Sequence, residues 1–199
     1  VQLVTDHYSS YSVEDQMASV DKLLDEGVKG IVLSPSGVTG RLEKISGVMP
    51  VATVIDDIEF KGKAFHVGPD DRRIGRLAAK LVSLYIGAEG KIALFKPLYT
   101  TEGMRVRVAG FTEKIKQDCP GIEIADVSTI AGISERDYYI NAYAKALEVI
   151  NRTPGLKAIY ISNGLTEWIA KAVEDTGNKG RIVVIGHEYT SGEEHFLKN

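Results

Sequence analysis

With 199 residues, 44% of them hydrophobic, the chain is long and apolar enough to bury a real core, which excludes a disordered segment. A formal charge of -3 at pH 7 excludes a broad basic face for a phosphate backbone, so this stretch is not expected to hold nucleic acid itself. No apolar run approaches the roughly 20 residues of a bilayer span, no basic-then-apolar leader opens the sequence, and the single Cys119 excludes an internal disulfide.

The opening stretch, 1–4, reads as a strand. Val13, Met17, Val20 and Leu24 then recur at the three- and four-residue steps of one helical face, which Gly27 closes. Short buried strands are expected at 31–33, running into Ser34-Pro35-Ser36-Gly37, and at 51–55, ending on Asp56 and Asp57. A weaker strand at 64–67 precedes a helix with Ile74, Leu77, Leu81 and Tyr85 on one face, stopped near Gly87. A strand at 92–95 leads to a helix striped by Met104, Val108, Phe111 and Ile115, which Pro120-Gly121 ends before a strand at 122–127. The rhythm repeats twice more. Tyr139, Tyr143, Ala146, Leu147 and Ile150 mark a helix, 158–161 a strand, Leu165, Ile169 and Ala172 another helix, and 182–185 a last strand closed by Gly186.

Continuous apolar strands joined by helical segments of ten or more residues imply parallel pairing, because a parallel neighbour needs a long crossover. The expected fold class is therefore α/β with doubly wound parallel sheets. Ligands of such sheets lie beyond the carboxyl ends of the strands, where this chain carries Ser34, Asp56, Asn163 and Glu188. There is no internal repeat and no proline-rich linker, so any two lobes are joined by short strand-like hinges, of which 66–71 is the best candidate.

After a strand and a loop comes Arg105-Val106-Arg107-Val108-Ala109-Gly110-Phe111, which resembles the R-x-R-x-x-G-[FWY] run of LacI-type transcription regulators and ribose-type periplasmic sugar-binding proteins. Other pieces fall in that family's order. Val54-Ile55-Asp56-Asp57 resembles its strand ending in a ligand-contacting acid, and Val67-Gly68-Pro69-Asp70-Asp71 with Ile74-Gly75 its crossover into the second lobe. Ile159-Tyr160-Ile161-Ser162-Asn163 is similar to the strand ending in a polar Asn, and Val184-Ile185-Gly186-His187-Glu188 to its Val-x-Gly-[FY]-Asp. The chain departs from the pattern at Gly164, where an Asp often follows the Asn, at His187 in place of an aromatic, and at Glu188 in place of Asp.

The resemblance implies a two-lobed periplasmic-binding-protein-like fold, incomplete at both ends. Residues 1–69 would form a partial N-terminal lobe lacking its first strand and helix, and 70–199 a C-terminal lobe lacking its returning segment. The function it implies is the effector domain of a LacI-type regulator, binding a sugar or polyol between lobes whose closure switches DNA binding through a helix-turn-helix outside this chain. That reading carries a cytoplasmic location and a homodimer. The alternative is the solute-binding protein of a sugar ABC transporter, periplasmic or extracellular, and an enzyme on the same scaffold stands third.

The ligand residues on this reading are Asp56, Asp70, Arg107, Asn163 and Glu188, each with a plainer role to weigh against it. Arg107 offers five fixed donors to hydroxyls or a carboxylate, yet an arginine there also serves as a solvated helix residue. Asp70, Asn163 and Glu188 compete with helix capping, Asp56 with capping or a loop charge. Arg105 is expected at the surface or in an ion pair. Trp168 with Tyr138, Tyr139 and Tyr143 is expected in helix packing. His7, His66, His187 and His195 lack metal-ligand spacing, and no phosphate loop, dinucleotide glycine motif or Gly-x-Ser-x-Gly elbow is present, so neither cofactor, metal nor catalysis is expected. Read as a rim residue, Arg107 replaced by Ala is expected to cost binding about 2–4 kcal/mol and stability little.

Overall fold

A computed structural model describes residues 2–7, 12–98, 101–132 and 134–198. In chain order the elements are α1 (Val13–Asp25), β1 (Ile31–Leu33), α2 (Gly40–Ser46), β2 (Val51–Val54), β3 (Lys63–Val67), α3 (Asp71–Ile86), β4 (Glu89–Pro97), α4 (Glu102–Asp118), β5 (Gly121–Ile130), α5 (Glu135–Arg152), β6 (Leu156–Ile161), α6 (Thr166–Asp175), β7 (Val183–Ile185) and α7 (Glu194–Lys198). The chain divides into two units. The first is Val1–Asp70 with Thr101–Gly103, the second Asp71–Thr100 with Met104–Asn199. No described helix is long and apolar enough to cross a membrane.

The first unit holds a parallel sheet of order β1-β2-β3, with Ile31 opposite Val51 and Val54 opposite Val67. Ser12 starts α1 by accepting the Asp15 amide on its hydroxyl, with Glu14 and Asp15 in the first turn where the helix dipole favours negative charge. Its core joins Val20 of α1 to Ile31, Leu33, Val51 and Phe60. The same cluster takes Leu42 and Ile45 from α2, a helix the periodicity does not announce because seven residues offer only two buried positions. Residues 2–7, expected to begin with a strand at 1–4, form none. A strand needs a hydrogen-bonded neighbour, and among the described residues β1 is paired to β2 alone. Residues 2–7 are tied instead through Asp6, which accepts from Ser19 Oγ at 2.6 Å and Lys22 Nζ at 3.3 Å on α1.

The second unit shows why its strands read as unbroken apolar runs. Its parallel sheet of order β5-β4-β6-β7 is covered on both faces, so alternate residues serve different cores. Ile92 and Leu94 of β4, with Ala158 and Tyr160 of β6, meet α3 and α4, while Ala93, Phe95, Ile159 and Ile161 meet α5 and α6. Tyr139 of α5 stacks on Trp168 of α6 with ring centroids 5.3 Å apart, the helix packing anticipated for these aromatics.

Helix α3 turns a different face inward from the one its large apolar residues suggest. Leu77, Leu81 and Tyr85 are 55%, 37% and 70% exposed, while Asp71, Gly75, Ala78, Ala79 and Val82 are buried. The reason is the approach of α4. A Cβ on Gly75 would lie 1.9 Å from the Arg107 carbonyl oxygen, and one on Gly110 would lie 2.3 Å from the Arg72 carbonyl oxygen. The two helices touch backbone to backbone through paired glycines, so α3 must present small residues at the crossing, and its larger ones face outward. Gly75→Ala is accordingly expected to destabilise by about 1–3 kcal/mol or more, because the obstacle is backbone and not a movable side chain. Leu77→Ala on the opposite face should change stability by less than about 1 kcal/mol. Thermal melts of the two variants check this; a larger loss from Leu77→Ala would return the core to the large-residue stripe.

Candidate functional site

In the first unit, Ser34 and Asp56 follow the carboxyl ends of the parallel strands β1 and β2 and line a cavity of about 440 Å³ with Asp6, Gln16, Ser36 and Thr101. Gln16 is fully buried and holds the loop beyond β1: its amide nitrogen donates to the Gly37 carbonyl at 3.0 Å, and its oxygen accepts the Ser36 amide at 2.5 Å. Asp56 Oδ1 accepts from the Thr101 hydroxyl at 2.6 Å, which fixes its carboxylate at the cavity. Ile55, just before it, has φ 68°, a conformation costly for a β-branched residue and found most often where function over-determines the backbone.

Asp57 does other work. It accepts from Lys63 Nζ at 2.8 Å and sits near His66. Burial pushes its carboxyl up, but the Lys63 hydrogen bond and the charges of His66 and Lys63 outweigh this and hold it below the ordinary aspartate value. Of the two adjacent acids, Asp56 faces the cavity and Asp57 staples β2 to β3. Asp70 is exposed and does not line the cavity.

In the second unit, the glycine crossing sets Asp71, one turn before Gly75, beside Arg107, nearly one turn before Gly110. Arg107 donates from Nε at 2.9 Å and Nη2 at 2.6 Å to Asp71 Oδ1, and from Nη1 at 2.9 Å to the Ser162 carbonyl just past β6. The side chains are only 15% and 8% exposed. Three of the five guanidinium N–H groups are thus committed, which orients the remaining two. Arg107, expected to contact the ligand from the rim while adding little to folding, is the hub of a buried ion pair. Asp71, which receives it, was not among the anticipated site residues; the adjacent Asp70 was. The spacing held a usable signal, since a buried arginine needs an acid and Asp71 precedes a packing glycine much as Arg107 does.

Around this hub stand the polar residues at the ends of β6 and β7. Asn163 carries a buried Oδ1 with no hydrogen-bond partner among the described residues, and so does the Ser162 hydroxyl. An unpaired buried oxygen costs about 1–3 kcal/mol, a cost that a ligand hydroxyl donating to it would relieve. Tyr160 stacks on Phe111 at a centroid distance of 4.1 Å, and its hydroxyl shares a 3.0 Å hydrogen bond with His187 Nε2. Burial, and secondarily the Arg107 charge, push His187 down to about 4, so the ring is neutral at pH 7. His187 therefore offers an uncharged flat ring where the family pattern has an aromatic. Glu188 has φ 67° and turns its carboxylate onto Gly164. The residues gathered on this rim are Arg107, Asn163, His187 and Glu188. Arg105 lies at the surface, as expected. Among the described residues no group of three His, Cys, Asp or Glu is placed to hold a metal ion.

Polar side chains and fixed donors beyond the carboxyl ends of parallel strands lie where α/β sheets place small-molecule ligands. The whole chain, residues 1–199, matches the family model described as a periplasmic binding protein domain, and the chain belongs to that family. It is 25% identical over 193 residues to the D-allose-binding periplasmic protein of Escherichia coli (strain K12), a match covering 87% of this chain and 58% of that protein. In fold it is similar to a carbohydrate transporter solute binding protein from Agrobacterium radiobacter in complex with D-arabinose, with a TM-score of 0.81, 17% identity and coverage of 94% of this chain and 65% of that one. A periplasmic solute binding protein of an ABC transporter from Actinobacillus succinogenes 130z, with bound D-allose, gives a TM-score of 0.78 at 18% identity, covering 94% of this chain and 69% of that one.

Two outcomes follow from the geometry of the second unit. Arg107→Ala leaves Asp71 buried and uncompensated, so it should cost about 3–5 kcal/mol of stability, which replaces the expectation of little change. Adding Asp71→Asn should recover part of that loss in thermal melts; equal melting of Arg107→Ala and the parent would contradict the buried pair. The second outcome concerns pH. Because His187 titrates near 6.5 when unfolded and about 4 when folded, the unfolded chain holds the extra proton between those values. Its contribution to stability is complete above about pH 6.5 and is lost as pH falls towards about 4. His187→Gln, which cannot titrate, should show a shallower fall in melting temperature across that window.

Proposed function

We propose that this chain is the sugar-binding part of a solute-binding protein serving an ABC-type sugar transporter. The observation that carries the reading is the rim of the second unit, where an arginine already locked by Asp71 and Ser162 stands with the unpaired buried oxygen of Asn163 and the acid of Glu188. That set offers both donors and acceptors without a metal or an activated nucleophile, and neutral sugar hydroxyls use both. Within the first unit, Asp56 is an acceptor held by Thr101. The ligand residues on this reading are Asp56 in the first unit and Arg107, Asn163 and Glu188 in the second, with Asp71 positioning Arg107.

The choice of transporter over regulator is supported by the relatives, which are described as periplasmic or transport proteins. The DNA-switching reading, its cytoplasmic location and its dimer find no support among them, and an exported location fits better. Binding without turnover is the expected chemistry. Titration calorimetry with D-allose and D-arabinose, followed by chromatography of the mixture, tests the proposal. Saturable binding of a neutral sugar recovered unchanged is expected; no binding to any neutral sugar, or steady product formation, would overturn it.

A further inference from the structure

Two of the three departures from the family pattern, a missing side chain at 164 and a longer acid at 188, meet in space. A Cβ built on Gly164 would lie 2.2 Å from Glu188 Oε2 and 2.9 Å from its carboxyl carbon. The carboxylate occupies the volume that any side chain at 164 would need. Gly164 is not among the glycines with positive φ, so its backbone does not demand glycine. Space is the reason for it. Gly164 directly follows Asn163, whose buried oxygen has no partner, so the carboxylate is brought over the residue next to that acceptor.

Glu188 itself is held at φ 67°, a backbone state that is unfavourable for glutamate and that aims the side chain. An aspartate in its place would end one methylene short of this position.

We propose that Gly164 and Glu188 act as one specificity-determining pair: the absent side chain admits the longer acid, which then presents its acceptors to ligand hydroxyls beside Asn163. This rests on the sugar-binding reading above and sharpens it to a ligand class. A corner built from a carboxylate and an amide oxygen takes hydroxyl donors and repels a carboxylate or phosphate, so the pair selects neutral sugars over sugar acids and sugar phosphates. Because the atom in the way is the end of a flexible side chain, Gly164→Ala displaces the Glu188 carboxylate without forcing apart any backbone. The pair therefore acts on binding more than on folding.

The experiment is a double-mutant cycle read by titration calorimetry with D-allose or D-arabinose, whichever the parent protein binds, with melting temperatures as the control for folding. Gly164→Ala should bind the neutral sugar about tenfold or more weakly while melting with the parent, the scale of one lost charge-assisted hydrogen bond. Glu188→Asp should also weaken binding. The double variant should bind more tightly than Gly164→Ala alone, since the shorter acid no longer needs the space the methyl group takes. Glu188→Gln should weaken neutral sugar binding and narrow the discrimination against the matching sugar acid. If the parent binds no neutral sugar, the sugar-binding reading fails and the pair's role falls with it. If the parent binds but Gly164→Ala is indistinguishable from it, or the two losses simply add, the pairing alone is overturned.

Discussion

Three donors of one guanidinium connect elements far apart in sequence: Arg107 near the start of α4, Asp71 in the first turn of α3, and the Ser162 carbonyl beyond β6. The arrangement exists only because α3 and α4 approach until backbone meets backbone, and that approach exists only because residues 75 and 110 carry no side chain. A buried ion pair is expensive to desolvate and repays this only with good geometry and additional hydrogen bonds. Here the carbonyl of Ser162 supplies such a bond. The same carbonyl belongs to the residue before Asn163, so the clamp that ties α3 to α4 also fixes the strand end that carries an unpaired acceptor. Packing and site share one set of atoms.

The two units build their rims by different means. In the first, a buried glutamine holds the loop beyond β1, and a left-handed isoleucine comes immediately before the acid that faces the cavity. In the second, a salt bridge and an aromatic stack carry the weight, with Tyr160 between Phe111 and His187. Strained backbone at Ile55 and Glu188 marks both rims, and neither residue is a glycine. Such strain persists where surrounding packing over-determines it, and its position at the ends of β2 and β7 is where α/β sheets bind ligands.

Much of this was legible in the residues alone. The alternation of strand-length apolar runs with helical stripes determined an α/β chain with parallel sheets, because parallel neighbours need helical crossovers and strands covered on both faces have no polar side to show. The strand ends Asp56, Asn163 and Glu188, and Arg107 in its motif, were legible as well, since polar residues directly after buried strands stand out against the apolar run. Cues limited to a few residues were not: α2 is too short to display a period, and residues 2–7 show that an apolar stretch is a strand only when a neighbour pairs with it.

What only the tertiary structure decided are the relations between side chains distant in the sequence. The inward face of α3 is set by how closely α4 approaches, and hydrophobic spacing then selects the wrong stripe, since close approach demands small residues while periodicity counts large ones. The partner of Arg107 is Asp71 and not its neighbour Asp70, because Asp71 opens α3 on the face that meets α4, whereas Asp70 precedes the helix and is exposed. Gly164 and Glu188 appear in the sequence as two separate departures from a pattern. That they are one arrangement, a longer acid filling the room a missing side chain leaves, is a fact about space, and a linear order of residues does not contain it.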